Sequence, residues 1–275
     1  MSIAQNAKFC ILHFAFCIDM IGIFDSGLGG LSVLRAVRSL LPNHDLLYLA
    51  DSAYCPYGTR PQAEVQARSL ACGRWLVERG AAVVVIACNT ATSAAADLLR
   101  ANLPVPVVGM EPGLKPAITA TRSGQVAVLA TNGTLRGERF ARLMERFAGG
   151  AQVVTVACPD LVDYVEAGDL TDPQARAAVE RYLTPLRAQG VDTIVLGCTH
   201  FPFLLPLIAD IAGPETVIID TGYAVATQVA RVAESAGDGP GKRGLHCATT
   251  GDPAEVAGSL ARVWGQPLPL EHIDL

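Results

Sequence analysis

Short apolar runs alternate with longer amphipathic stretches from residue 21 to about residue 220, and this alternation limits the fold more than any other feature of the chain. The runs are IGIFD (21–25), DLLYLA (45–50), AVVVIA (82–87), PVVG (106–109), QVAVLA (125–130), QVVTVA (152–157), DTIVLG (192–197) and TVIID (216–220). Between them lie helical patterns such as LSVLRAVRSLL, PQAEVQARSLACGRWLVER, ATSAAADLLRAN, LRGERFARLMERF and PQARAAVERYLTPLRAQ. The runs are apolar at successive positions, so both faces of each predicted strand are expected to be covered. Strands of that kind separated by helices imply an α/β fold with mostly parallel sheets.

The pattern also repeats. Strand–DSG–helix (IGIFDSGLGGLSVLRAV) returns as strand–TNG–helix (VAVLATNGTLRGERFARL), and VVVIACNTATSAAADLL returns as VDTIVLGCTHFPFLLPLI. Two similar open α/β lobes account for the echo, each placing one cysteine, Cys88 or Cys198, at the carboxyl end of a strand. Ligands of open α/β sheets bind at those ends. If the lobes face each other, two thiols flank one crevice.

Composition narrows the function classes. With 275 residues and 51% hydrophobic content, the chain can bury a large core. A net charge of −5 without a dense Lys/Arg run argues against a nucleic-acid partner. The eight cysteines contain no C-x-x-C pair, which disfavours a zinc ribbon, a redox dithiol or a disulfide framework. Reduced thiols and a cytoplasmic location are expected. The run FCILHFAFCI (9–18) is too short to span a bilayer, so no membrane partner is expected. Residues 1–19 read as a dispensable extension ahead of a natural start near Met20; a hydrophobic arm packing on a partner is the sharper alternative.

Three motifs carry candidate chemistry. In FDSGLGG (24–30) the glycines suggest a tight turn with an anion near a helix N-terminus, although neither a dinucleotide fingerprint nor a P-loop is present. Asp25 and Ser26 fit a turn or cap as well as a site. In ACNTAT (87–92), Cys88 precedes Asn89, Thr90 and a new helix, whose N-terminal charge would lower a nearby thiol pKa. GCTHFP (197–202) repeats this with Cys198, Thr199 and His200, and Pro202 fits the first turn of the helix that follows. A metal site needs more ligands than the Cys198-x-His200 pair supplies. A disulfide switch is not selected by anything in the sequence, and Cys–His nucleophilic catalysis would use one cysteine and leave the duplication unexplained. Two-base proton transfer uses both, one thiolate abstracting a proton from a carbon while a thiol donates on the opposite face. Of the three lysines, Lys8, Lys115 and Lys242, Lys115 is the one suited to a pyridoxal Schiff base, so that cofactor is disfavoured.

Read in order, IGIFDSGLGGLSVLRAV, YLADSAYCPYGTR, VIACNTAT, VPVVGMEPGLKPA, VAVLATNGT, ACPDLVDYVEAGDL, IVLGCTHFP and IDTGYAVA resemble the glutamate racemases of the aspartate/glutamate racemase superfamily. The resemblance implies cofactor- and metal-independent interconversion of L- and D-glutamate, supplying D-glutamate for peptidoglycan, in a homodimer. It implies two pseudo-symmetric lobes, 20–115 with 222–275 and 116–221, with the active site between them. Carried over by motif, Cys88 acts on D-glutamate and Cys198 on L-glutamate, with Asp25 assisting the first and Glu166 and His200 the second. Substrate-binding pairs fall on Asp25–Ser26, Tyr57–Gly58, Asn89–Thr90 and Thr199–His200, with Asp25 suited to the ammonium. Cys55, Cys72, Cys158 and Cys247 are assigned to packing. The alternatives are a racemase acting on aspartate or another amino acid, and a non-catalytic amino-acid-binding protein on the same scaffold.

Overall fold

A computed structural model describes residues 20–236 and 243–275. The apolar run 9–18, with Cys10 and Cys17, and Lys8 and Lys242 lie outside the described residues.

Two parallel sheets form. The first contains β1 (Met20–Asp25), β2 (Asp45–Ala50), β3 (Val83–Ile86), β4 (Val107–Val108), β9 (Leu245–Thr249) and β10 (Leu270–His272), in the order β10-β9-β2-β1-β3-β4. The second contains β5 (Gln125–Ala130), β6 (Gln152–Ala157), β7 (Thr193–Gly197) and β8 (Val217–Ile219), in the order β6-β5-β7-β8. Every pairing is parallel; Ile23 lies opposite Tyr48 on one side and Val85 on the other, as Val128 lies between Thr155 and Val195. The segment β2-β1-β3-β4 has the same order as β6-β5-β7-β8. The echo read in the sequence is therefore a repeat of topology.

Parallel neighbours need crossovers, and helices supply them. They are α1 (Leu31–Leu40), α2 (Gln62–Glu78), α3 (Asn89–Asn102), α4 (Leu114–Ala120), α5 (Asn132–Leu135), α6 (Glu138–Phe147), α7 (Asp160–Ala167), α8 (Pro173–Ala188), α9 (Leu205–Ala212), α10 (Gly222–Ala236) and α11 (Pro253–Trp264). Side chains alternate between faces along each strand. Ile21, Ile23, Val83 and Val85 of the first sheet and Ala127, Leu129, Ile194 and Leu196 of the second belong to one continuous core. The opposite faces carry separate clusters, with Phe24, Val84 and Ile86 in one and Val126, Val128 and Val195 in the other. Central strands β1, β3, β5 and β7 are thus covered on both sides, as their unbroken apolar sequence requires.

All eight sequence-predicted strands are present. Burial on both faces fails at β6, which is partly exposed along its length because it is an edge strand with one neighbour. Two strands went unread: β9 carries the exposed His246 at its second position, and β10 is three residues long with Glu271 and His272 exposed.

Two local devices fix the frame. Gly22 lets β1 press against the chain before β3: a Cβ there would sit 2.8 Å from Ala81 Cβ and 3.0 Å from Leu76 Cβ. Asp192, just ahead of β7, accepts hydrogen bonds from Thr121 Oγ1 at 2.6 Å, Ser123 N at 2.7 Å and Arg122 N at 2.8 Å, closing the turn into β5. Partial burial works against its charge, but these donors outweigh it and hold the carboxyl well below the usual carboxylate range.

Gly22→Ala should destabilise the fold by about 1–3 kcal/mol through overpacking; urea unfolding should show a lower midpoint with an unchanged slope. Because the Asp192 carboxyl is more acidic in the folded protein, its contribution is complete above the unfolded value near pH 4 and is lost as pH falls through the lower folded value. Asp192→Asn should therefore be less stable than the parent at pH 7, and the difference in Tm should shrink below about pH 4.

Candidate active site

The candidate residues gather at the carboxyl ends of the central strands. Asp25 ends β1, Cys88 follows β3 and caps α3, Thr131 follows β5 and caps α5, and Cys198 follows β7. Between the two sheets lies a small cavity. Ser26, Tyr57, Gly58, Cys88, Asn89, Thr90, Cys198, Thr199 and His200 line it together with Pro56, Thr131 and Val162. Both thiols, one from each sheet, thus face the same space. Apart from His200 and the thiols, a ligand here meets hydroxyls, an amide, apolar groups and backbone.

Asp25 and Glu166 stand one layer behind this wall. Asp25 is fully buried; its Oδ1 accepts from Ser26 N at 2.7 Å, and its Oδ2 from Gly30 N at 2.5 Å and Thr199 Oγ1 at 3.3 Å. The anion expected at the glycine-rich helix start is therefore the protein's own Asp25, which caps α1. Burial raises its pKa, an effect offset by His200 and reinforced by Glu166.

Cys88 is also buried. Its Sγ accepts from Ala91 N at 3.4 Å and lies 3.9 Å from Ser26 Oγ. The expected lowering of its pKa by the helix start is overturned. Burial pushes the thiol well above its ordinary value and the Asp25 charge adds to the shift, while the Ala91 N–H opposes it without prevailing. Cys88 is a neutral thiol in this environment.

The second thiol has different company. Cys198 Sγ is 3.5 Å from His200 Nδ1, and His200 Nε2 is 2.6 Å from Glu166 Oε1, which also accepts from Leu28 N at 2.7 Å. Burial disfavours a charge on His200, but bonds to Cys198, Cys55 and Glu166 outweigh it, so the imidazole pKa lies well above the ordinary histidine value. The segment after Cys198 is a tight 3₁₀ turn over Phe201–Leu204 containing Pro202; α9 begins only at Leu205. That turn swings His200 back beneath Gly29, where a Cβ would sit 2.3 Å from the ring.

Tyr57, in a segment that reads as a surface loop, is buried, and its hydroxyl donates to Asp51 Oδ2 at 2.5 Å. Asp51 in turn holds Arg68 through two bonds and Thr250 through one, so the loop bearing Gly58 is anchored to α2 and to the segment after β9. Asn89 is buried at the cavity wall, and both atoms of its amide lack a partner within the protein. Such a group costs about 1–3 kcal/mol until a ligand or solvent satisfies it.

Sequence reasoning did not single out Thr131 and Val162. Thr131 had a signal, since its ATNG occupies the place of FDSG in the repeat; Val162 is indistinguishable from any core helix residue. Cys72, Cys158 and Cys247 sit in the apolar core. Cys55 packs against that core from its edge, and its thiol, pushed up to about 12 chiefly by burial, also lies beside Glu166 and His200. Lys115 is exposed on α4 and is absent from the cavity wall.

The family described as Asp/Glu/Hydantoin racemase matches residues 31–229. A glutamate racemase of Methylococcus capsulatus is 50% identical over 259 residues, spanning 90% of this chain and 95% of that relative. One from Pseudomonas aeruginosa is 49% identical over 253 residues, spanning 90% and 94%. The solved structure of Escherichia coli glutamate racemase, in complex with L-glutamate and the activator UDP-MurNAc-Ala, aligns with a TM-score of 0.84 at 32% identity, over 92% of this chain and 97% of that one. Opposed strand-end thiols, a shared sheet order and these relatives agree: the chain belongs to the Asp/Glu/hydantoin racemase family.

Proposed function

We propose that this chain racemises glutamate by passing the Cα proton between Cys88 and Cys198, without a cofactor, and so supplies D-glutamate for peptidoglycan. The observation that carries the reading is the meeting of the two thiols, one from each sheet, in a single cavity. The reading also takes 20–115 with 222–275 and 116–221 as the two lobes and the chain as a cytoplasmic homodimer. Among the described residues no helix is long and apolar enough to cross a membrane.

Glutamate presents two carboxylates and an ammonium. Hydroxyls of Ser26, Thr90 and Thr199, with the backbone at Gly58, serve as carboxylate donors. The unpartnered Asn89 amide offers Nδ2–H to a carboxylate and Oδ1 to the ammonium. Asp25, behind Ser26 and Thr199, favours the ammonium through its field.

With L-glutamate, Cys198 takes the α-proton and Cys88 gives its own to the opposite face. The elevated pKa of Cys88 suits the donor role, since the proton is on sulfur when it is needed. His200, 3.5 Å from Cys198, receives the proton that this thiol must shed before acting as base, and Glu166 on the far ring nitrogen supports the resulting charge. In the reverse direction Cys88 must first be deprotonated, and Asp25, whose buried carboxyl has a raised pKa, is placed to help. The developing carbanion is stabilised by preorganised donors on the α-carboxylate in a site that excludes most water.

Incubating the protein with L-glutamate, with neither pyridoxal phosphate nor metal added, should drive the circular dichroism signal toward zero. Aspartate should be turned over far more slowly; faster aspartate turnover would select that substrate, and binding without any signal loss would select a non-catalytic binder. Cys88→Ala and Cys198→Ala should each lower kcat by about 10²–10⁴-fold or more in both directions, with glutamate binding still measurable by calorimetry. Robust turnover by either variant would end the two-thiol reading.

A further inference from the structure

Cys55 takes no part in the proposed reaction and, besides packing against the core, it lies beside Glu166 and His200. It follows the short 3₁₀ turn after β2, whereas Glu166 lies on α7 and His200 follows β7. Three distant stretches of the chain therefore bring a thiol, a carboxylate and an imidazole together, with one ligand atom from each lying within 4.8 Å of the others. We infer that Cys55, Glu166 and His200 form a site for Zn²⁺ behind the His200 wall of the cavity, and that filling it arrests the racemase. The binding claim stands on this cluster alone; the claim of arrest rests on the role of His200 in the function proposed above.

The donor set matches the ion. Sulfur, imidazole nitrogen and carboxylate oxygen are the three ligand types zinc prefers, and tetrahedral geometry at 2.0–2.3 Å places ligand atoms about 3.3–3.8 Å apart. Bringing atoms from 4.8 Å to that separation takes a shift of about 1 Å, while Nε2 of His200 and Oε1 of Glu166, now 2.6 Å apart, must part by somewhat less. Outer contacts already hold the ligands in place. Leu28 N donates to Glu166 Oε1, and Cys198 engages the other ring nitrogen of His200. Such partners orient metal ligands. Gly27 leaves the room: a Cβ there would sit 2.1 Å from Glu166 Oε1 and 2.9 Å from Cys55 Sγ.

An ion can reach the cluster because Cys55 is only partly buried and the Glu166 side chain is 22% exposed, although His200 is enclosed. On binding, the Cys55 proton leaves to solvent and sulfur bonds the metal as thiolate; His200 binds through a bare nitrogen, any proton there also leaving. The imidazole is then committed to the metal and can no longer exchange a proton between Cys198 and Glu166. Tethering Cys55 to Glu166 and His200 also ties the loop bearing Tyr57 and Gly58 to the second sheet's side of the crevice.

The test uses the whole protein with Co²⁺ and Zn²⁺ as probes. Co²⁺ should produce a thiolate-to-cobalt absorption band and tetrahedral ligand-field bands, displaced by Zn²⁺. Zn²⁺ should inhibit racemisation at a concentration matching its affinity from chelator competition, and EDTA should reverse the effect. Cys55→Ser should abolish the charge-transfer band and weaken both zinc binding and inhibition by at least about 10–100-fold, while racemisation without metal is retained. Cys88→Ala should retain the band. The site is refuted if Cys55→Ser binds and responds to Zn²⁺ like the parent, if the band is lost in Cys88→Ala instead, or if the parent does not bind Zn²⁺. Activation by Zn²⁺ would refute the arrest. Absence of metal-free turnover in the parent, with the cobalt band present, would count against the racemase reading and leave the metal site standing.

Discussion

The Asp25 carboxylate, fully buried where β1 ends, is the interaction on which the two halves of the site depend. One of its oxygens closes the turn through Ser26 N, and the other caps α1 through Gly30 N and receives the Thr199 hydroxyl from the second sheet's side. A buried carboxylate is costly unless hydrogen-bonded donors surround it. Here a helix start provides them, its partial positive charge compensating part of the burial. Tyr48 reinforces the same turn by donating to Gly27 O at 2.6 Å. Local backbone geometry, the register between the sheets and the charge behind the cavity therefore share one residue.

From that shared point the two thiols diverge. Around Cys88, burial dominates: the weak sulfur contacts to Ala91 N and Ser26 Oγ leave a neutral thiol. Around Cys198, a connected chain dominates, from sulfur to His200 to Glu166 to the Leu28 amide. Equivalent strands in equivalent sheet positions thus deliver the same atom type into different electrostatic settings. The first is governed by desolvation and a nearby acid, the second by a hydrogen-bonded relay.

Much of this was legible in the sequence because the informative signals were local. Apolar runs of four to six residues located eight strands, and the repeated Cys-polar-helix pattern located both strand-end thiols. What escaped depended on partners far away in the chain. The Cys88 environment could not be read from its helix start, since burial, which decides the outcome, comes from packing. The turn carrying Tyr57 looks like a surface loop because nothing adjacent reveals that Asp51, itself held by Arg68 and Thr250, will receive its hydroxyl. Cys55 looked like a spare core cysteine for the same reason, since Glu166 and His200 approach it from separate elements. The strand β9 was missed because the exposed His246 interrupts its apolar pattern, and β10 because a three-residue strand at the edge of a sheet needs little apolar sequence.

The unlike surroundings of the two thiols have a thermodynamic limit. Enantiomers have equal free energies in water, so an enzyme that interconverts them works on an equilibrium constant of unity. The Haldane relation then makes kcat/KM identical for the two hands, however different the surroundings of Cys88 and Cys198. On the two-thiol proposal, the asymmetry between a desolvated thiol and a relayed one can therefore surface only in kcat and KM separately, a higher kcat for one hand being matched by a higher KM and so a weaker apparent affinity. A fold with duplicated topology and divergent wiring can set which enantiomer it holds longer, but it cannot make itself a better catalyst at low concentration for one hand than for the other.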